Sequence, residues 1–371
     1  MIASQKQHSQ KQHFSSRTKK FFSYYKSYPR LLLADLFCAV IISVIAVILP
    51  LCAGHVTGNI LSSDTPDKLT QIYAMGGFML GLVGIYTACT VFVDYQGHMM
   101  GAYMEHDMRR ELFDHYQHLS FGFYDDHKTG QLMSRMTTDL FWLGELFHHG
   151  PEDIAIALFK FTGVFLVSLT INVELTLIIF AFLPFMGVYA FYFNRKMNIA
   201  LRASKARIGD INAQVEDTLA GIRVVQSFTN EQIEREKFAY ANRRFVETRR
   251  HGYRSEAFFY GGMIAFTQFM TIAIIIVGGA AIVNASLDLP QLITYLLYAG
   301  ILIEPIQRLV NFARLYQEGI TGFSRFMEML DITPQIQEVP DAIDLTSVAG
   351  QITFENVSFR YEGGYEDVLR D

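Results

Sequence analysis

The sequence predicts an all-α membrane protein built on six long transmembrane helices. Three observations carry that expectation. Hydrophobic residues make up 51% of the 371 and charged residues only 18%, against roughly 25% charged in an ordinary soluble chain. Six stretches each hold close to the ~20 predominantly apolar residues that cross a bilayer core. Lysine and arginine gather almost wholly in alternate connections between those stretches, as cytoplasmic segments of membrane proteins do. The composition excludes a disordered chain, a coiled coil, a collagen-like chain and a disulfide scaffold. A net charge of −5 argues against a nucleic-acid partner, which calls for a basic surface. The three cysteines, Cys38, Cys52 and Cys89, all lie in apolar stretches and read as small buried hydrophobes, with no metal-ligand spacing.

Taken in order, residues 1–30 form a basic, polar N-terminal segment. Tyr24, Tyr25 and Tyr28 near its end read as anchors at the membrane surface. The first span, 31–53, carries Asp35 near its start and has no small-residue cleavage site, so it reads as a retained helix. The second, 72–93, is free of charge. The third, 154–171, is interrupted by Lys160, which makes it the weakest expectation of the six. Only 172–174 separate it from the fourth, 175–193, which demands a tight turn between antiparallel helices. The fifth, 258–283, and the sixth, 289–310, are joined by the short link 284–288. With the N-terminus inside, 29 of the 31 basic residues are cytoplasmic (Arg308, at the inner end of the sixth span, among them), one (Lys68) is outside and one (Lys160) is well inside a span. The expected topology therefore places both termini in the cytoplasm.

The two long inside segments, 94–150 and 194–257, read as helical continuations of the spans, each with a turn and a return. Met104, Met108, Leu112 and Tyr116 in one, and Ile208, Ile211, Val215 and Leu219 in the other, recur at helical spacing and predict a buried face in each. A continuous helix over 72–119 would be about 70 Å long and reach roughly 40 Å beyond the bilayer core. Glycines mark turns at the two tips, near Gly122 and Gly130 and near Gly221. Thr129 is placed to cap the helix after the first tip.

The six-helix unit is expected to span 31–330, followed by a linker over 331–349 containing Pro334 and Pro340. The pattern then changes. Ile352, Phe354, Val357, Phe359 and Tyr361 alternate with polar residues and predict a strand, Gly363-Gly364 a turn, and Val368-Leu369 a second strand. One hairpin cannot bury its own face, so 350–371 is expected to be the truncated start of a further domain.

Four stretches, in order, resemble one family. Phe123-Tyr124-Asp125 with Thr129-Gly130-Gln131-Leu132, Ser134-Arg135 and Asp139 is similar to the first intracellular loop of ATP-binding cassette (ABC) exporter half-transporters, the fold of lipid flippases and multidrug exporters. EDTLAGIRVVQSFTNEQIEREKF, residues 216–238, resembles their second loop, and Ser324-Arg325-Phe326 with Leu330-Asp331 resembles the end of their sixth helix. GQITFENVSFRY followed by VLRD resembles the opening of their nucleotide-binding domain. The resemblance covers roughly residues 20–371. It implies coupling helices near 121–129 and 218–226, with Phe123, Tyr124, Asp125, Thr129, Gly130, Gly221, Val224 and Val225 at the coupling contacts. It also implies that Tyr361 stacks on the adenine of ATP, and that ATP and Mg are used by a full-length protein. Its partners would be a second half-transporter subunit (identical or not), the nucleotide-binding domains, membrane lipids and a hydrophobic or amphipathic substrate, a drug, lipid or peptide. The site would be the inner membrane of a bacterial cell. One departure bears on catalysis. No Gly-Lys pair occurs in these residues, so the phosphate-binding loop G-x-x-x-x-G-K-[ST] is not among them, and no catalytic residue is assigned.

Ionisable and polar groups inside spans are candidate transport residues. Lys160 reads either as a cavity-facing charge for an anionic substrate or lipid head group, or as a lysine that snorkels to the interface or pairs with a carboxylate. Glu304-Pro305 is expected to kink the sixth helix beside a charge, with Arg308 and Asn311 following, and Gln268 is a further candidate in the fifth. The 31 phenylalanines leave room for an apolar cavity. The pairs His115/His118 and His148-His149 read as surface or interhelical histidines, since no H-E-x-x-H pattern accompanies them. The alternative to an exporter is a membrane module for regulation or ligand binding that transports nothing.

Overall fold

The computed structural model describes residues 17–64, 66–337, 339, 341–343, 349–360 and 366–370. Six helices in it are long and apolar enough to cross a membrane: α1 (Pro29–Ile60), α2 (Lys68–Gln117), α4 (Thr129–Ile171), α5 (Val173–Ala220), α7 (Glu231–Val283) and α8 (Leu289–Leu330). Two short helices, α3 (Phe121–Asp126) and α6 (Ile222–Ser227), cap the turns where α2 meets α4 and α5 meets α7. The spans therefore do continue as helix into the segments between them. Single π-turns interrupt α1, α2 and α4 at Val56–Ile60, Val93–Gly97 and Arg135–Asp139.

The caps follow local chemistry. Asn172 alone separates α4 from α5, in extended backbone, and its side chain accepts a hydrogen bond from the Leu175 amide at 3.0 Å. This satisfies one of the amides that a helix N-terminus leaves unpaired. Asp288 and Gln291 form a reciprocal capping box at the start of α8. Thr129, by contrast, is the first residue of α4 and caps nothing; Lys128 holds the N-cap position without a side-chain bond. The break in α8 falls at Leu302, between Leu289–Ile301 and Ile303–Leu330. Pro305 thus sits in the first turn of the second section, where its missing N–H costs least.

Packing centres on α4, which lies against α1, α2 and α8. Met104, Met108, Leu112 and Tyr116 are buried as their spacing predicts, against Leu140, Leu143, Phe147 and Phe326. A second core joins Val164, Leu175, Ile179, Ile274, Tyr295 and Tyr298. Helices α5 and α7 pack mainly on each other. The corresponding face on α5 is not buried as predicted: Ile208 and Leu219 are exposed, because two helices side by side cover only one flank of each. The cysteines are unpaired, with Cys52 buried and Cys38 and Cys89 half-buried.

The three tyrosines before α1 strap the N-terminal segment to the protein itself. Tyr24 and Tyr28 donate to Glu111 and Asp107 of α2 at 2.6 and 2.7 Å, and Tyr25 donates to the Phe147 carbonyl of α4 at 2.9 Å. Burial, then the accepting carboxylate, pushes the Tyr24 hydroxyl far above its ordinary range and that of Tyr28 up to about 12.

The predicted hairpin is reduced to one antiparallel bridge, Phe359 to Leu369, among the described residues. Residues 352–358 are exposed and form no ladder, since nothing packs on their apolar side. Tyr361 and Gly363-Gly364 lie outside the described residues.

Candidate functional site: a charge network between helices and two exposed tips

Lys160 projects from the middle of α4 and is 1% exposed. Its ammonium donates to Glu304 Oε2 of α8 at 2.6 Å. One turn along α8, Arg308 holds the other oxygen of the same carboxylate at 2.8 Å and reaches back to Asp153 at 2.7 Å and Glu152 at 3.2 Å on α4. Four of these five residues follow from helical spacing: Glu304 and Arg308 are one turn apart, and Asp153 and Lys160 are two turns apart on one face. The network clasps α4 to α8 where α8 is broken at Leu302. Both Glu304 oxygens, the Lys160 ammonium and one oxygen each of Glu152 and Asp153 are paired in it, as charges in an apolar setting require.

The structure thus brings Lys160, Glu304 and Arg308 together. Gln268 on α7 and Asn311 on α8 are both exposed and stand outside the network. Glu152 and Asp153 escaped the sequence reading. Their signal was an acidic pair placed directly before an apolar run. Beside the network, Phe161, Phe180, Phe191, Leu183, Leu309 and Val310 help to line a groove of about 500 Å³. It is a phenylalanine-rich apolar surface adjoining a buried charge.

The tips are built differently. In the first, Phe123 is buried and stacks on His127 at 4.1 Å between ring centres, and the Tyr124 hydroxyl donates to the Tyr116 carbonyl. Ser120 donates to Gln335 at 2.9 Å, tying the tip to the segment after α8. Asp125, Thr129 and Gly130 are exposed, and Phe121 is almost wholly so. The short helix there ends at Asp126, three residues before the expected end. In the second tip, α5 runs to Ala220, so Thr218 belongs to the long helix and the short one is Ile222–Ser227. Thr218 and Gln214 donate to Glu234 of α7 at 2.8 and 3.0 Å, bracing the arm. Gly221 and Val225 are half-buried, whereas Leu219, Val224 and Phe228 face outward.

The model of the ABC transporter transmembrane region matches residues 32–306. The chain belongs to this family. The matched stretch runs from the start of α1 to the charge network of α8. Among similar proteins, the ABC transporter ATP-binding protein YwjA of Bacillus subtilis (strain 168) is 37% identical over 358 residues, 95% of this chain and 61% of its own length. The putative multidrug export ATP-binding/permease protein YgaD of the same organism is 24% identical over 95% of the chain and 61% of its length. An ATP-dependent lipid A-core flippase of Syntrophus aciditrophicus (strain SB) is 26% identical over 76% of the chain and 48% of its length. The chain therefore spans about half to three fifths of these relatives. As an ABC transporter transmembrane region, with six apolar helices, it is a multi-pass membrane protein.

Proposed function

We propose that the chain is the transmembrane half of an ATP-driven exporter that moves a hydrophobic or amphipathic substrate by alternating access. The observation that carries this reading is the pair of apolar tips, Phe121 at one and Val224 with Phe228 at the other, held at the ends of long helices. A rigid helix transmits displacement along its length, so a push at a tip becomes a rearrangement among the spans. The tips and both termini are cytoplasmic in this reading, because 29 of 31 basic residues lie on that side.

The exporter acts as a dimer with a second half-transporter subunit, and its tips dock on nucleotide-binding domains. Phe123, Tyr124, Asp125, Thr129 and Gly130 form one coupling contact; Gly221, Val224 and Val225 form the other. ATP with Mg drives the cycle, and Tyr361 stacks on adenine through its ring face. The substrate path follows the phenylalanine-lined groove, with Gln268 and Asn311 as polar contacts. The Lys160–Glu304–Arg308 clasp opens and closes as α4 and α8 move. The names of the flippase and the multidrug exporter among the relatives support a lipid or a drug as cargo.

The test is transport by the full-length protein in proteoliposomes, with a fluorescent phospholipid and a hydrophobic dye as probes. ATP-dependent movement of either probe is expected. ATP binding without movement of either would favour a regulatory module and overturn the proposal.

A further inference from the structure

Three histidines meet where α2 and α4 cross. His98 comes from α2, and His148 and His149 from α4. One ligand nitrogen from each lies within 4.8 Å of the others. The ring centres are 4.5–5.0 Å apart. His148 is 1% exposed, yet neither of its ring nitrogens has a hydrogen-bond partner. Asp35 of α1, also 1% exposed, has no partner for either carboxylate oxygen. Glu152 Oε2 is buried without a hydrogen bond, 3.4 Å from both His148 Nε2 and His149 Nδ1.

A carboxylate flanks His148 on each side: Asp35 beside Nδ1 at Gly97 and Glu152 beside Nε2. A Cβ at Gly97 would lie 2.3 Å from His148 Nδ1 and 2.9 Å from Asp35 Oδ1, so both groups aim into the notch that this glycine leaves. His98 Nδ1 faces the Asp94 carbonyl. A carbonyl only accepts, so the proton is on Nδ1 and Nε2 carries the lone pair. That is the arrangement of a histidine metal ligand oriented by its second nitrogen. Charge points the same way. Lys160 and Arg308 are the two cations of the adjoining network, and Glu304, Glu152, Asp153 and Asp35 are four carboxylates. Orphaned buried polar groups are destabilising, and a divalent cation would take up one His148 nitrogen and one carboxylate oxygen of this set.

We propose that His98, His148 and His149, with a carboxylate from Asp35 or Glu152, bind a divalent transition-metal ion of the Zn²⁺ class. Imidazole nitrogens with one carboxylate suit Zn²⁺, Ni²⁺ or Cu²⁺ and not Mg²⁺ or Ca²⁺, which prefer all-oxygen shells. Ligands about 2.1 Å from a tetrahedral zinc stand roughly 3.4 Å apart, so small side-chain rotations close the site. A bound ion would pin α2 to α4; with Asp35 as the fourth ligand it would hold α1 as well, and with Glu152 it would reach α8 through Arg308. The site is independent of whether the chain transports.

The purified chain in detergent, stripped with a chelator, is titrated with Zn²⁺ by calorimetry and with Co²⁺ by visible absorption. The expected result is one tight equivalent, a strong tetrahedral-type Co²⁺ spectrum, and its bleaching by Zn²⁺. His98→Gln, at an exposed position, should weaken binding at least tenfold, and His148→Gln should abolish the spectrum. Circular dichroism and elution profile confirm that each variant is folded. A Co²⁺ spectrum no different from the hydrated ion, or Zn²⁺ affinity unchanged in folded His98→Gln, overturns the site.

Discussion

Lys160 and Glu304 are 144 residues apart, and the two ends of their ion pair are not equally exposed. The lysine side chain is 2% accessible and the glutamate 45%. Removing Glu304 strands a buried ammonium, whereas removing Lys160 leaves a half-exposed carboxylate still held by Arg308. Glu304→Gln should therefore cost on the order of 3 kcal/mol, and Lys160→Met nearer ~1 kcal/mol, close to a surface pair. Thermal unfolding of the two variants in detergent checks this. Equal losses, or a larger loss for Lys160→Met, would show that the pair is not what holds α4 to α8. Each charged residue was visible in the sequence as an ionisable group in or beside an apolar run. Their partnership was not, because it forms across a helix–helix contact that no local spacing encodes. His148-His149 was likewise legible only as a dipeptide; His98 and Asp35 reach it from other helices.

Among the elements, periodicity succeeded where a helix has neighbours on its apolar side. The Met104–Met108–Leu112–Tyr116 face is buried because α4 and α8 cover it. The same pattern on α5 is only half covered: Ile211 and Val215 are half-buried and Ile208 and Leu219 exposed, with α7 packed on one flank. Close approach of backbones was invisible to hydropathy altogether. A Cβ on Gly101 would meet the Gly144 carbonyl oxygen at 2.8 Å, a main-chain atom that cannot rotate away, and small residues at such crossings are what let membrane helices pack. Gly101→Ala should lower stability by about 1–3 kcal/mol. Gly81→Ala, with nothing within 4 Å of the new methyl, should be neutral or slightly stabilising. Thermal midpoints of the two variants in one detergent decide the matter; a midpoint for Gly101→Ala equal to that of the parent would mean that α2 and α4 can separate at little cost.

Across the whole molecule, long helices carry the tips away from the spans, and what the tips display differs from what they bury. Phe123 is packed inside its tip, while Val224 is 61% exposed. Val224→Asp should then leave the folded state within ~0.5 kcal/mol of the parent. In the full-length protein it should reduce ATP-dependent transport of the phospholipid or dye probe roughly tenfold, with ATP binding retained. Normal transport by that variant would remove the second tip from the coupling path. The number of spans, their continuation as helix, the tight turn at Asn172 and the family were all legible in the order of residues. Each of these rests on composition or on spacing within one stretch of chain. That Lys160 is paired, that the break in α8 precedes Pro305, that α5 keeps an open flank and that three histidines share one place emerged from helix packing. Those outcomes depend on which surfaces of distant helices meet, and burial of a polar group is set by its neighbours in space and not by its neighbours in sequence.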